Sequence, residues 1–277
     1  MGVPVKTLYN GTEIPMLGFG TYKIPDGKPV IDAVSSALAI GYRLIDTAWF
    51  YKNEKGVGEA IAQSGVPRED IFLTTKLWNA HHGYDLALEY FDKSLEALGT
   101  DYLDLYLIHW PGKDKYVETW RALIRLYEEG RTRAIGVCNF LDFHLQTLRD
   151  ETGMLPMLDQ IELHPRLWRH ETVDYCTAYN ICVQAWSPLM RGGEMLEADT
   201  IVQIAQKHKK TPAQVILRWE TQQGICVIPK STHVERMREN FDIFDFTLTA
   251  DEIAAMNALN ENRGIGSSPY TMMLDFE

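Results

Sequence analysis

Residues 104–139 read DLYLIHWPGKDKYVETWRALIRLYEEGRTRAIGVCN. A short β-rich apolar run, DLYLIH, is followed by a polar break. The next segment, YVETWRALIRLYEEG, repeats its apolar residues at three- and four-residue spacing, and a second apolar run, AIGVCN, closes the stretch. A strand, an amphipathic helix ending at Gly130 and a second strand form one β–α–β unit. Such a unit predicts two parallel strands joined by a right-handed crossover.

The same alternation runs the length of the chain. MLGFG (16–20), YRLID (42–46), IFLTTK (71–76), MLDQIEL (157–163), ICVQAW (181–186) and ICVIPK (225–230) bring the predicted strands to eight. Amphipathic stretches such as VIDAVSSALAIG, DLALEYFDKSLEALG and TIVQIAQKHKKTPAQVILRWETQQG separate them, and glycines 41, 99 and 224 stand where helices end. Eight such units in 277 residues predict an α/β fold, a closed (β/α)8 barrel of the TIM type, in preference to an open doubly wound sheet. VKTLYNGTEIP (5–15), with Asn10-Gly11 at its centre, reads as an N-terminal β-hairpin set before the barrel. No repeat or linker divides residues 1–277, so a single domain is expected, with 261–277 as a C-terminal tail.

Composition narrows the function. Hydrophobic residues at 45% and charged residues at 23% suit a soluble protein with a sizeable core. A formal charge of −11 argues against nucleic acid or an anionic membrane as the main partner. Residues 1–20 lack a signal-peptide pattern, and no apolar stretch approaches a membrane span. The four cysteines, 138, 176, 182 and 226, show no C-x-x-C, which predicts free thiols and a cytoplasmic location. Metal-ligand spacing is missing, and His81-His82 reads as a solvated loop pair, so no metal is expected.

In a barrel of this type, chemistry gathers at the C-terminal ends of the strands. The predicted strands end there on Asp46, Lys76, His109, Cys138-Asn139, Trp186-Ser187 and Lys230-Ser231, with Gln160 near the end of the sixth and Tyr51 in the loop after the second. Each has a bland reading, since polar residues commonly finish strands; their coincidence on one rim does not. A phenol beside an ammonium is expected to ionise more readily, a carboxylate would hold that ammonium, and an imidazole could orient a bound carbonyl. Trp186 offers a flat face for a nicotinamide, while Asn139 and Gln160 can bond a carboxamide. IPKSTHVERMREN (228–240) supplies Lys230, Ser231, Arg236 and Arg238 for a phosphate. LGFGTYKIP lacks the third glycine of a dinucleotide fingerprint, so any dinucleotide must be held by the rim itself. A metal-dependent barrel hydrolase would need a cluster of His and carboxylate ligands that the lone His109 does not provide.

These motifs, from LGFGTY through DTAWFYKNEKGVGEAI, TTKLWN, DLYLIHWP, RAIGVCNF, QIELHP, AWSPL and IPKST, make the chain resemble an aldo-keto reductase of the short-looped microbial type. The resemblance implies a catalytic tetrad of Asp46, Tyr51, Lys76 and His109, with Tyr51 as proton donor. It implies NADPH held by Gly20, Thr21, Cys138, Asn139, Gln160, Trp186, Ser187 and Leu189. Lys230, Ser231, Thr232, Arg236, Glu239 and Asn240 would hold its adenosine end. It implies a substrate pocket lined by Tyr22, Trp49, Trp78 and Trp110, taking a small dicarbonyl or keto-sugar acid, in a monomeric enzyme. Cys138 stands where such proteins usually carry serine, and Trp186 where tyrosine is commoner. The alternative is an NADPH-binding barrel that regulates or senses redox state with little turnover.

Overall fold

The computed structural model describes residues 2–270 and 272. The chain opens with the expected antiparallel hairpin, β1 (Val5–Thr7) against β2 (Glu13–Pro15). Its loop, residues 8–12, is wider than a two-residue Asn-Gly turn. Gly11 takes the left-handed backbone at φ 88° and donates its N–H to Leu8. The hairpin pairs with no barrel strand. Instead Lys6 bonds the carbonyl of Gly224, Tyr9 that of Leu155, and Asn10 and Thr12 that of Arg133. All three acceptors lie where later strands begin, so the hairpin stoppers the N-terminal end of the barrel.

Eight parallel strands follow, neighbouring one another in chain order: β3 (Phe19–Gly20), β4 (Leu44–Asp46), β5 (Phe72–Leu77), β6 (Leu103–Ile108), β7 (Thr132–Cys138), β8 (Leu158–Glu162), β9 (Cys182–Trp186) and β10 (Cys226–Val227). The ring closes where Leu17 bridges Val227 in parallel, supported by Gly18 N–H to Val227 O at 2.8 Å and Val227 N–H to Met16 O at 2.9 Å. That closure decides for the barrel over the open sheet. The first and last strands are shorter than predicted because the seam pairs only briefly. Pro229 has no N–H to give, though its carbonyl still accepts from Gly20. Every residue of β5 and β6 is buried, as strands covered on both faces must be.

Helices α1 (Lys28–Ile40), α2 (Glu54–Gln63), α3 (Tyr84–Leu98), α4 (Tyr116–Glu128), α5 (Asp142–Thr152) and α6 (His170–Ala178) make the outer layer between successive strands. The amphipathic stretch 200–224 is broken in two, α7 (Asp199–His208) and α8 (Pro212–Gln222). Pro212 cannot supply an N–H, and Thr211 and Gln214 cap the new start reciprocally. Two helices that the sequence did not single out, α9 (Val234–Phe241) and α10 (Ala250–Asn257), follow the last strand. Among the described residues no helix is long and apolar enough to cross a membrane. Of the expected tail, residues 271 and 273–277 lie outside the described residues.

Candidate active site

Parallel pairing in register aims the strand ends at one another. Asp46, the last residue of β4, and Lys76, the penultimate residue of β5, both point into the barrel and are almost fully buried. Lys76 Nζ lies 2.6 Å from Asp46 Oδ1, donates to Thr47 O at 2.9 Å, and reaches the Tyr51 hydroxyl at 3.4 Å. Tyr51 ends the single 3-10 turn Trp49–Tyr51 that follows β4. His109, directly after β6, sets its ring edge-on to Tyr51 with centroids 5.6 Å apart. The four residues expected to act together are therefore assembled in one cluster.

A polar belt crosses the barrel beneath that cluster. Gln160 Nε2 donates to Asp46 Oδ2 at 2.7 Å and to Gln184 Oε1 at 2.8 Å, so β4, β5, β8 and β9 are linked through their side chains. Gln184 was not singled out by the sequence, although the alternation in CVQAW puts it on the same face as Trp186. Burial raises the Asp46 carboxyl above its ordinary value; Lys76 and Gln160 oppose that rise.

Two electrostatic consequences bear on chemistry. The expectation that Lys76 would make the phenol acidic is not the net outcome. Burial, then the charge of Asp46, push Tyr51 well above the ordinary tyrosine value. His109 is driven well below the ordinary histidine value by burial, then by Lys76 and His82. The cluster holds a protonated phenol and a neutral imidazole at physiological pH.

Aromatic faces make the rim. Tyr22 lies 4.9 Å from Tyr51, and Trp78 meets His109 edge-on at 5.3 Å. Phe50, which the sequence reading passed over, stacks on Trp78 at 3.9 Å and turns its edge to His109. Trp49 is placed elsewhere: its ring packs edge-on against Tyr90 and His81 and lines a cavity of about 640 Å3 with Lys55, Glu59 and Lys93 on α2 and α3. Three consecutive residues of one tight turn point in different directions, and no sequence signal says which faces inward. Trp110 is buried and, among the described residues, makes no ring contact with Tyr51, Trp78 or His109. His81 stacks on Tyr90 while His82 is buried, so the pair is not the solvated loop it resembled. No group of three or more metal-binding side chains occurs among the described residues.

The remaining rim residues fall into two groups. Near the cluster, Trp186 donates its indole N–H to Asn139 Oδ1 at 2.7 Å, and Asn139 Nδ2 bonds His109 O and the sulfur of Cys138. Asn139 and Ser187 hold left-handed backbones, φ 64° and 50°, which turn the chain sharply at the strand ends. Thr21 gives both its N–H and its hydroxyl to Asp46 O, at 3.0 Å each. Gly20 lies on the seam, where a Cβ would stand 3.0 Å from Ile228 O, and Leu189 packs on the core. Farther out, Lys230, Thr232 and Arg236 are exposed around the start of α9, with Ser231 and Asn240 buried beside them. Glu239 is occupied by Thr211 at 2.6 Å. No ion pair ties Lys230 or Arg236 to a carboxylate among the described residues, and both side chains are exposed.

Residues 16–261 match the aldo/keto reductase family, and the chain belongs to it. It is similar to the glyoxal reductase of Bacillus subtilis (strain 168), 51% identical over 96% of each chain. Among solved structures it resembles an aldo/keto reductase of Brucella melitensis at TM-score 0.90 and 52% identity, covering 93% of this chain and all of that one. A mutant of Gox0644 in complex with NADPH superposes at TM-score 0.93 and 40% identity over the full length of both. The chain is thus an oxidoreductase of this family.

Proposed function

We propose that the protein reduces small aldehydes and ketones, dicarbonyls or keto-sugar acids foremost, to alcohols with NADPH, and that Tyr51 supplies the proton. The observation that carries this reading is the Tyr51 hydroxyl 3.4 Å from the Lys76 ammonium, with the His109 ring edge-on beside it. Burial keeps the proton on the phenol at neutral pH, so Tyr51 is loaded as an acid. When the proton leaves toward a carbonyl oxygen, the phenolate left behind faces Lys76 Nζ, which stabilises it. Asp46 and Thr47 O fix that ammonium in place. Neutral His109 offers a ring nitrogen to orient the carbonyl without adding charge.

The rim suits NADPH. Lys230 and Arg236 are free to meet a phosphate, and the amide ends of the α9 backbone add partial positive charge there. Trp186, half-exposed and fixed through its indole N–H, gives a flat seat beside the cluster. Gln160 and Asn139 are already committed to protein partners, so they would share rather than freely offer their amides. Bound NADPH supplies the hydride. The cup of Tyr22, Phe50 and Trp78 suits compact carbonyl compounds, and the name of the Bacillus relative points to the same class. Four free buried cysteines fit a reducing cytoplasm, and the proposed enzyme acts there as a monomer.

The test is loss of nicotinamide absorbance when NADPH meets methylglyoxal or a keto-sugar acid. Turnover supports the reading, whereas NADPH binding without turnover on a panel of carbonyls would leave only a binding barrel.

A further inference from the structure

Glu162 ends β8 at the mouth of the barrel, is 1% exposed, and takes no part in the cluster around Tyr51. Its carboxylate is directed to the C-terminal segment. Ile265 N–H donates to Oε1 at 2.6 Å, and Gly266 N–H lies 3.3 Å from Oε1 and 3.2 Å from Oε2. The His164 ring stands 3.4 Å away on the other side. Burial alone would raise this carboxyl, but His164 and the two amides outweigh it and hold it below the usual range.

The contact is too close for side chains on the strap. A Cβ on Gly264 would fall 2.9 Å from Glu162 Oε2, and one on Gly266 would fall 2.3 Å from the outer carbon of the Trp186 six-membered ring. Before it reaches this point the strap is already tied down. Glu261 and Arg263 donate to Arg166 O, and Asn260 Oδ1 accepts from Trp168. The Trp186 ring is therefore held at both ends, by Asn139 at its indole nitrogen and by the Gly266 backbone at its far edge.

We infer that Glu162 is a positioning residue for hydride transfer: it clasps the strap 264–266 against Trp186 and so sets the angle of the seat on which the nicotinamide rests. The inference rests on the proposed role of Trp186 in that seat. A ring free to swing would still let the adenosine end bind through Lys230 and Arg236, but the reacting end would sit loosely. Misplacement on that scale costs turnover far more than binding.

The experiment compares Gly266→Ala, Glu162→Ala, Glu162→Gln and Trp186→Ala for NADPH affinity by fluorescence titration and for kcat at saturating NADPH. Gly266→Ala and Glu162→Ala are expected to lower kcat about tenfold or more while NADPH affinity falls only a few-fold. Glu162→Gln, which keeps one acceptor oxygen, should recover part of the loss. Glu162→Ala combined with Gly266→Ala should be no worse than the poorer of those two single variants, since both release the same clasp. Parental kcat in both single variants, alongside an impaired Trp186→Ala, would overturn the clasp and leave the seat intact. An unimpaired Trp186→Ala would remove the seat itself. Should the Glu162 variants not fold, hydrogen exchange on the parental protein decides. The Ile265 and Gly266 amides are expected to exchange more slowly with NADPH bound, and unchanged rates would count against the clasp.

Discussion

The two ends of this barrel are made by the same eight strands and have opposite character. At the N-terminal end, Ile14 of the hairpin and Leu17 just after it are fully buried, and the thiols of Cys182 and Cys226, the first residues of their strands, lie 3.7 Å apart. At the C-terminal end the interior holds an ammonium, a carboxylate, two amides and an imidazole, all nearly inaccessible. Burying charge is costly, and a lysine–carboxylate pair of this kind is weak evidence for stability. The stoppered end holds the fold together, so the mouth can carry groups chosen for what they do.

Three sets of substitutions and one change of conditions test that contrast, beginning with the greatest loss of turnover. Tyr51→Phe removes one hydroxyl from the mouth and should lower carbonyl-reduction kcat by roughly 10²- to 10⁴-fold. NADPH affinity and unfolding midpoint should stay near parental, and near-normal turnover would take the proton-donor role from Tyr51. Lys230→Met with Arg236→Ala should erode the preference for NADPH over NADH by about ten- to a hundredfold, from lost charge-assisted contacts. Parallel kcat/KM measurements with the two cofactors check it, and an unchanged ratio would move the phosphate site elsewhere.

Ile14→Ala lies at the other end and should do the reverse. A buried isoleucine cut to alanine costs about 2–5 kcal/mol, read as a lower denaturant midpoint, while kcat of the folded fraction stays parental. A loss of kcat without a loss of stability would erase the division between the ends. The smallest effect is that of pH. Tyr51 must carry its proton to act, and its pKa is raised, so the acid form persists as pH rises. Reduction at saturating NADPH should be flat through neutrality and fall only above about pH 10. A fall centred near pH 7 would mean that Lys76, rather than burial, governs the phenol.

Much of this was legible in the sequence because it depends on period. Strands that alternate with helices, and polar residues that end apolar runs, placed Asp46, Lys76, His109, Asn139 and Trp186 on one rim before any coordinates. What depends on direction within a turn, or on contacts across the barrel, was not legible. Phe50 and Trp49 are adjacent, yet one faces His109 and the other Tyr90. Gln160 read as a cofactor ligand, yet its nearest duty is to join Asp46 to Gln184. The sign of the Tyr51 shift also eluded the sequence, because a neighbouring ammonium can be guessed from motif order whereas depth of burial cannot. Glu162 lies inside a strand motif, but its partners Ile265 and Gly266 are a hundred residues away, beyond the reach of local spacing.

The join between Leu17 and Val227 has a consequence for biosynthesis. The first stave of the cylinder meets the second on one side and only the last on the other, so a nascent chain that has emerged through β9 still has two open edges. Closure waits for residues 225–230 to leave the ribosome, and contacts of such long range make a slow final step. Until then the two unpaired edges are open to pairing with other chains.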